Sequence, residues 1–256
     1  MNFKERMYKQ LAIDLACTVE DLKSNKNVFI VAERNNNMRC SENLELTQMH
    51  LICINNKIVA RCPDERVIRW LEKEYSNFNS NWLGSYHITR KFDEGLKQFG
   101  IRVALFDPFF IPDQNTKETD CSVLKSFSLK WYDSNGLKSF EGDKRFVEAL
   151  LFYENAPDKI AVTASKNGDI IAMAAANADR PNIWQMGVNV TSEYCGNGVA
   201  TALVATLKNK IIDMDILPYY STALSHVISQ KVAIKAGFIP AFTELVTMTE
   251  SIKKSL

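Results

Sequence analysis

The sequence predicts an α+β fold, with a C-terminal mixed β-sheet flanked by helices and a smaller N-terminal α+β domain. In the second half, the spacing of apolar residues predicts strands and helices in the order β, α, three antiparallel strands, α, β, α, β. Two prolines, Pro108 and Pro112, and the polar run Asp113 to Asp120 predict a linker between that half and the first. We therefore expect two domains, over residues 1–118 and 122–256.

Composition excludes several functional classes. The chain has 256 residues, a formal net charge of +1 and 46% hydrophobic residues, as in an ordinary globular protein. The balanced charge gives no electrostatic reason to expect nucleic acid or a membrane as a partner. No apolar run approaches the roughly 18 residues of a membrane span, and the charged N-terminus lacks the apolar core of a signal peptide. The six cysteines form no Cys-x-x-Cys pair. We therefore expect a cytoplasmic protein with free thiols and no bound metal.

The N-terminal half is predicted to mix helices with short strands. Helical spacing marks Lys4 to Cys17, and Thr18 followed by Asp21 has the form of a capping box. Two apolar runs flank Asn55-Asn56-Lys57 and predict a hairpin. The other predicted elements are a strand over Asn27 to Val31, a helix after Pro63, a helix over Phe92 to Phe99 and a strand over Ile101 to Phe106. This half carries no motif for catalysis and could be a degenerate copy of the second.

The C-terminal half opens with a predicted strand, Ser122 to Trp131, and a predicted helix, Asp143 to Tyr153. Two strands joined by Asn167-Gly168 follow, because Asn-Gly between apolar runs is a strong hairpin signal. A third strand runs from Ile183 to Val190. The last predicted elements are a helix after Gly198, a strand over Pro218 to Ala223, a helix capped by Ser225 and ended by Gly237, and a strand over Phe242 to Thr249.

The segment from Trp184 to Ala200 predicts an anion site. A buried strand leads into a turn with two glycines, Gly196 and Gly198, and an amphipathic helix follows directly. The first N–H groups of a helix lack intrahelical partners, and the helix dipole adds about half a positive charge there. Glycines allow the backbone to approach a phosphate closely. A structural turn without a ligand is the alternative, because two glycines before a helix are a weak signal.

A specific resemblance strengthens the anion hypothesis. Val188 to Ala200 resembles the pyrophosphate-binding motif of the GNAT superfamily of N-acyltransferases, Arg/Gln-x-x-Gly-x-Gly/Ala, which falls on Cys195, Gly198 and Ala200. The downstream strand and helix, closed by Gly237-Phe238, also match the family. More weakly, the whole chain resembles a two-domain bacterial GNAT family that includes the zwittermicin-resistance acetyltransferase.

The resemblance implies acetyl-CoA as the acyl donor substrate, with no metal. In the family the central strand and the next strand separate, and the pantetheine arm lies between them. A main-chain N–H near Gly187 or Val188 would stabilise the oxyanion, a contribution of roughly 3–4 kcal/mol in comparable sites. The residues implied in cofactor binding are Gly187, Val188, Asn189, Val190, Cys195, Gly196, Asn197, Gly198, Val199, Ala200, Thr201, His226 and Ser229.

The chain also departs from the family pattern. Cys195 replaces the usual Arg or Gln, and Ala233 stands where many members carry a tyrosine that protonates the leaving thiolate. The candidates for proton transfer are therefore Tyr220, His226 and Glu193. Each has a structural alternative: Tyr220 could only pack, His226 could help to cap a helix, and Glu193 would be favourable near any helix N-terminus.

The function predicted from the sequence is acetyl-CoA-dependent N-acetylation of a primary amine, expected to belong to a small molecule. The alternative is a protein that binds acyl-CoA without turnover, as a sensor or scaffold, because the family's arginine and tyrosine are both missing. A homodimer is compatible with either prediction.

Overall fold

A computed structural model describes residues 2–40, 47–115 and 118–249. It confirms the predicted α+β class. The helices are α1 Phe3–Asp14, α2 Val19–Lys23, α3 Glu65–Tyr75, α4 Tyr86–Lys97, α5 Ser134–Leu137, α6 Val199–Asp213 and α7 Val227–Lys235. The strands are β1 Val28–Val31, β2 His50–Ile54, β3 Lys57–Cys62, β4 Ile101–Pro112, β5 Ser128–Asp133, β6 Asp158–Lys166, β7 Asp169–Arg180, β8 Ile183–Val190, β9 Leu217–Ser221 and β10 Phe238–Thr249.

The chain divides into two compact units. The first unit comprises Met1–Lys4 and Phe110–Pro240, and the second comprises Glu5–Phe109 and Ala241–Leu256. The predicted domains, 1–118 and 122–256, remain a prediction. Within the predicted polar linker, residues 116 and 117 lie outside the described part of the chain.

The first unit contains a mixed sheet in the strand order β9-β8-β7-β6-β5. The pairs β5–β6, β6–β7 and β7–β8 are antiparallel, whereas β8–β9 is parallel. The predicted Asn-Gly hairpin joins β6 to β7, and both of its central residues have positive φ, 53° at Asn167 and 92° at Gly168. These values are those of the turn type that matches the twist of paired strands.

Helical segments cover both faces of this sheet. Helix α6 packs on one face, where its Leu203 and Leu207 are fully buried with Ala174 and Met186 of the strands. On the other face, Leu137 and Phe146 lie in a second apolar cluster with Met173 and Ala175 of β7. Successive residues of β7 join the two clusters in turn, because side chains alternate between the faces of a strand. The middle of β7 is therefore buried on both faces.

The second unit is a smaller α+β structure. Strand β1 pairs with β3 in parallel, β3 with β2 antiparallel, and β2 with β10 antiparallel. The apolar faces of α3 and α4 are buried in one cluster with Leu51 of β2 and Leu245 of β10. The predicted capping box is confirmed, because Thr18 and Asp21 exchange both of its hydrogen bonds at the start of α2.

A group of buried charges lies inside the second unit. The Arg39 guanidinium lies 2.5 Å from a carboxylate oxygen of Asp14 and 2.5 Å from one of Glu244. The imidazole of His50 lies 2.6 Å from the same Glu244 oxygen. Burial alone would raise the pKa of Glu244, but the charges of Arg39 and His50 lower the pKa to about 2.

Three predicted local features are wrong. The expected strand Ser122 to Trp131 begins instead as a 3-10 helix, Ser122–Ser126, because the Asp120 carboxylate accepts the Ser122 N–H and turns the chain. The helix after β9 is not capped by Ser225; its N-cap residue is His226, which makes no side-chain cap hydrogen bond.

The third error is the helix expected over Asp143 to Tyr153, where the structure has a 3-10 helix at Lys144–Phe146 and irregular backbone after it. Side chains from other strands accept the N–H groups that a continuous helix would use. The Asn189 side chain binds the N–H groups of residues 148 and 149, and the Asp158 carboxylate binds those of residues 151 and 152. Tertiary hydrogen bonds therefore override the local helical spacing.

Among the described residues, no helix is both long and apolar enough to cross a membrane. The same residues contain no group of three or more His, Cys, Asp or Glu side chains arranged to hold a metal ion.

Candidate functional site

The first feature of the site is a separation of two strands. Strand β8 pairs with β9 from Ile183 opposite Leu217 to Met186 opposite Tyr220. Beyond that pair, β8 continues to Val190 and stays paired with β7 only. The edge of β8 that faces β9 is therefore open over residues 187–190, as the family resemblance implied.

A cleft of about 350 Å³ opens at this separation. Gly187 and Val188 of β8 line one side, and Tyr220, His226 and Ser229 line the other. All five belong to the sequence-predicted site. A cleft between two strand ends, bordered by an open strand edge, can bind an extended polar chain as an added strand.

The glycine turn lies between β8 and α6. Gly196 and Gly198 have φ angles of 80° and 82°, in the left-handed region that glycine adopts most readily. A Cβ built on either glycine would meet no atom within 4 Å, so the space beside the turn is open. In the described part of the chain, no protein acceptor binds the N–H groups of residues 196–201.

These open donors fit an anion. Helix α6 has fifteen residues, and its N-cap is Gly198, which supplies no side chain to occupy the first N–H groups. The positive end of the helix dipole points in the same direction as those donors. The predicted residues Cys195, Asn197, Val199, Ala200 and Thr201 all lie in this turn and first helical turn.

Glu148 borders the cleft although it does not belong to the predicted sequence motif. Glu148 lines the cleft, and its negative charge acts on Tyr220. Its backbone carbonyl packs against Gly187, where a Cβ would lie only 1.9 Å from that oxygen. Asn189 anchors the same segment, since its side-chain oxygen accepts the N–H groups of Glu148 and Ala149 at 2.9 and 2.8 Å. The sequence prediction missed Glu148 because it placed this segment in a helix.

Tyr220 is a buried hydroxyl at the cleft wall. Its Oη lies 2.9 Å from Ser229 Oγ, and its ring packs against Phe238. Burial raises the pKa of Tyr220; the hydrogen bond to Ser229 opposes this shift, and the negative charge of Glu148 adds to it. Tyr220 is therefore a neutral hydrogen-bond donor at physiological pH.

The other two proton-transfer candidates are separated. His226 lines the cleft, and its Nδ1 lies 3.4 Å from Thr222 Oγ1. Glu193 is exposed in the 3-10 helix Ser192–Tyr194 and is not among the described residues that line the cleft. The structure therefore brings Tyr220 and His226 together with Glu148, and leaves Glu193 outside.

Two departures from the family pattern have structural consequences. The Cys195 thiol is exposed and lies 3.6 Å from the carbonyl oxygens of Val190 and Thr191, so it faces backbone acceptors. Ala233 is fully buried in the apolar core beneath α7. No hydroxyl can therefore reach the cleft from that position, and Tyr220 is the buried hydroxyl that does.

An open strand edge and a set of free N–H groups at a helix N-terminus are suited to a phosphate-bearing ligand with an extended arm. Residues 126–238 match the sequence model of the acetyltransferase (GNAT) family. The matched segment contains β8, the glycine turn, α6 and α7, and so the whole cleft. The match supports the predicted GNAT resemblance, and the zwittermicin-resistance subfamily remains a prediction.

Several solved structures resemble the chain. A GCN5-related N-acetyltransferase-like protein from Streptococcus suis is 16% identical, with 97% of this chain and 98% of that chain covered and a TM-score of 0.48. A GNAT-family acetyltransferase from Colwellia psychrerythraea is 13% identical over 62% of each chain, with a TM-score of 0.44. A GCN5-related N-acetyltransferase from Sphaerobacter thermophilus is 13% identical over 65% of this chain and 57% of that chain, with a TM-score of 0.44. No curated protein matches the sequence significantly.

Proposed function

We propose that this protein transfers an acetyl group from acetyl-CoA to a primary amine of a small molecule. The observation that carries the proposal is the end of β8–β9 pairing at Met186 and Tyr220, beside a glycine turn with open N–H groups. The family match over residues 126–238 supports acyl transfer as the reaction class.

The donor substrate would lie along the open edge of β8. The N–H groups of residues 196–201 would bind its pyrophosphate, and the backbone groups of residues 187–190 that point away from β7 would pair with the amides of its pantetheine arm. His226 and Ser229 border the same cleft. The thioester would then reach the wall formed by Gly187 and Tyr220.

The proposed chemistry uses groups of this chain for both proton transfers. The amine nitrogen forms a bond to the thioester carbon, and a main-chain N–H of Gly187 or Val188 stabilises the oxyanion. Collapse of the intermediate breaks the carbon–sulfur bond, and its electron pair goes to sulfur. The hydroxyl of Tyr220 gives its proton to that thiolate, while the carboxylate of Glu148 or the imidazole of His226 takes a proton from the nitrogen.

A protein that binds acyl-CoA without turnover is the second candidate function. The buried Ala233 favours it, because the usual tyrosine is absent from α7. In the acetyltransferase, Tyr220 of β9 would take the role of that tyrosine and protonate the thiolate, whereas in the non-catalytic protein it would not.

We also propose a cytoplasmic location for the protein, on the basis of its six cysteines, which are all free thiols.

The deciding experiment measures binding and turnover separately. Acetyl-CoA affinity is measured by calorimetry, and thiol release is followed with a thiol dye against a panel of primary amines. Binding with amine-dependent thiol release supports the acetyltransferase. Binding without thiol release on any amine supports the non-catalytic protein, and no binding contradicts both.

A further inference from the structure

The backbone of Glu148 meets β8 through both of its polar groups. Its N–H donates to the side-chain oxygen of Asn189 at 2.9 Å, and the N–H of Ala149 donates to the same oxygen at 2.8 Å. Its carbonyl packs against Gly187, where a Cβ would lie 1.9 Å from the oxygen. Gly187 and Asn189 are two residues apart in a strand and therefore face the same side of the sheet. Together they fix where the backbone of Glu148 lies.

The pairing of β8 with β7 identifies that side of the sheet. Gly187 is opposite Ala175, and Asn189 is opposite Met173. Residues directly opposite in an antiparallel pair face the same side, and both β7 residues belong to the apolar cluster that contains Ala149. The segment that carries Glu148 therefore packs on this face, and Asn189 is the residue of β8 whose side chain binds it.

The local sequence favours a different conformation for this segment. Four of its apolar residues have the spacing of one helix face: Phe146, Ala149, Leu150 and Tyr153. In a helix packed on the sheet by that face, Glu148 would lie about 200° around the axis from Phe146 and would point to solvent. Its N–H would bind the carbonyl of residue 144. Because Asn189 accepts that N–H instead, the chain leaves the helical path at Glu148.

The far end of the segment is held in the same way. The carboxylate of Asp158 in β6 accepts the N–H of Leu151 at 3.4 Å and that of Phe152 at 2.8 Å. Phe152 has a φ angle of 50°, which is uncommon for a residue with a side chain. Side chains of two strands thus hold the segment at four N–H groups, and Asn189 acts at the end where Glu148 lies.

The position of Glu148 matters because it borders the cleft. Among the described residues that line the cleft, Glu148 is the one carboxylate, and its negative charge acts on Tyr220, the proposed proton donor. A proton acceptor must lie within hydrogen-bond reach of the amine, directly or through one water. A displacement of about 1 Å can lower a rate about 100-fold. A contact that fixes the backbone of Glu148 therefore bears on the rate of the reaction.

We propose that Asn189 is a positioning residue for proton transfer: its side-chain oxygen fixes the backbone of Glu148 against Gly187, so that the Glu148 carboxylate accepts the proton of the attacking amine. The proton moves from the amine nitrogen to a carboxylate oxygen as the nitrogen–carbon bond forms. The inference rests on the proposed acetyltransferase function and selects Glu148 over His226 as the proton acceptor. The backbone of Asn189 belongs to the proposed donor site, whereas its side chain acts through Glu148.

Asn189→Leu removes the acceptor oxygen and keeps a side chain of similar size. We expect kcat/KM for the amine, measured by thiol release, to fall about tenfold, with the affinity for acetyl-CoA in calorimetry changed little. Asn189→Asp again offers an oxygen to both N–H groups and should lose less, measured at alkaline pH where both carboxylates are ionised. Asn209→Leu is the matched control, because Asn209 is exposed on α6 and is not among the described residues that line the cleft.

Three results of these measurements are decisive. Melting temperatures first confirm that each variant is folded. Equal losses in Asn189→Leu and Asn189→Asp would overturn the inference, because the acceptor oxygen would then be irrelevant. A loss of acetyl-CoA affinity large enough to explain the lower rate would also overturn it, because the side chain of Asn189 would then serve donor binding.

A double-variant cycle separates positioning from a general structural effect. If Asn189 acts through Glu148, Asn189→Leu should lower kcat/KM about tenfold in the wild-type protein and less than about twofold in Glu148→Gln. A similar fall in both backgrounds overturns the inference while the acetyltransferase function stands, and so does a Glu148→Gln variant as active as the wild type. A wild-type protein that releases no thiol with any amine contradicts the proposed function on which the inference rests.

Discussion

The backbone carbonyl of Glu148 packs directly against Gly187 of β8. A Cβ on Gly187 would lie 1.9 Å from that oxygen and 3.1 Å from the Cα of Ala149. The contact occurs one residue after Met186, the last residue of β8 that pairs with β9. The absence of a side chain at Gly187 therefore lets a carboxylate-bearing segment reach the point where the cleft opens.

Gly187→Ala is expected to move this segment. No flexible side chain can yield, because the atoms in contact belong to the backbone of Glu148 and Ala149. We expect a loss of about 1–3 kcal/mol in the free energy of unfolding and a fall in kcat. Urea unfolding and thiol release measure the two effects. Gly136→Ala is the control, because the nearest atom, 3.2 Å away, belongs to the side chain of Tyr132. Equal behaviour of the two variants would contradict the structural role of Gly187.

Gly198→Trp is expected to abolish acetyl-CoA binding while the fold survives. The added indole would fill the open space beside the N–H groups at the start of α6. Gly142→Trp is a matched control, because Gly142 has a φ of 81° against 82° at Gly198 and likewise has no atom within 4 Å of its Cβ position. Both variants carry the same left-handed strain. Calorimetry should show a lost affinity in Gly198→Trp only; a similar affinity in both would argue against the anion site.

Tyr220→Phe is expected to lower kcat by about 100-fold, within the usual range for loss of an acid catalyst, with KM for acetyl-CoA changed little. Because the pKa of Tyr220 is raised by burial, the hydroxyl stays protonated as pH rises through its ordinary value near 10. The alkaline limb of the wild-type kcat profile should therefore lie above pH 10. Ser229→Ala removes the hydrogen bond that opposes the shift and should move this limb further upward. An unchanged kcat in Tyr220→Phe would favour the non-catalytic candidate.

The variants Glu148→Gln and Glu193→Gln test which of these two exposed carboxylates accepts the proton from the amine. Glu148 lines the cleft beside Tyr220, whereas Glu193 lies outside it. We expect kcat/KM for the amine to fall at least tenfold in Glu148→Gln and to stay near the wild-type value in Glu193→Gln. Thiol release from acetyl-CoA, measured with the same amine for both variants, gives these values. The reverse pattern would restore Glu193 as the proton acceptor.

Glu244 is expected to make the second unit sensitive to acid. Its pKa is lowered from an ordinary value of 4.5 to about 2, so its ionised form stabilises the folded state above pH 4.5. That contribution is lost as pH falls from 4.5 towards 2. Glu244→Gln leaves Arg39 with one buried carboxylate partner fewer and should cost about 3–5 kcal/mol at neutral pH. Denaturant unfolding across this pH range should show a smaller acid dependence in the variant.

The hairpins and helices with strong local signals could be predicted from the sequence. The capping box of Thr18 and Asp21 and the Asn167-Gly168 turn form through contacts between residues close in the chain. The separated strands were expected only through the family resemblance. Of the polar residues that line the cleft, the sequence prediction missed Glu148, Asn177, Gln185, Ser221 and Thr222, because no local pattern marks a polar residue that faces a neighbouring strand.

By itself, the sequence determined the strand, glycine turn and helix that run from Ile183 to Asp213, because the periodicity of apolar residues and the conformational freedom of glycine act over a few residues. The tertiary structure alone decided that the segment around Glu148 is not a helix and that it lies against Gly187. It also decided that Asn177, Gln185 and Tyr219 lie side by side on three neighbouring strands. These features depend on hydrogen bonds and close contacts between residues far apart in the chain, which local spacing does not encode.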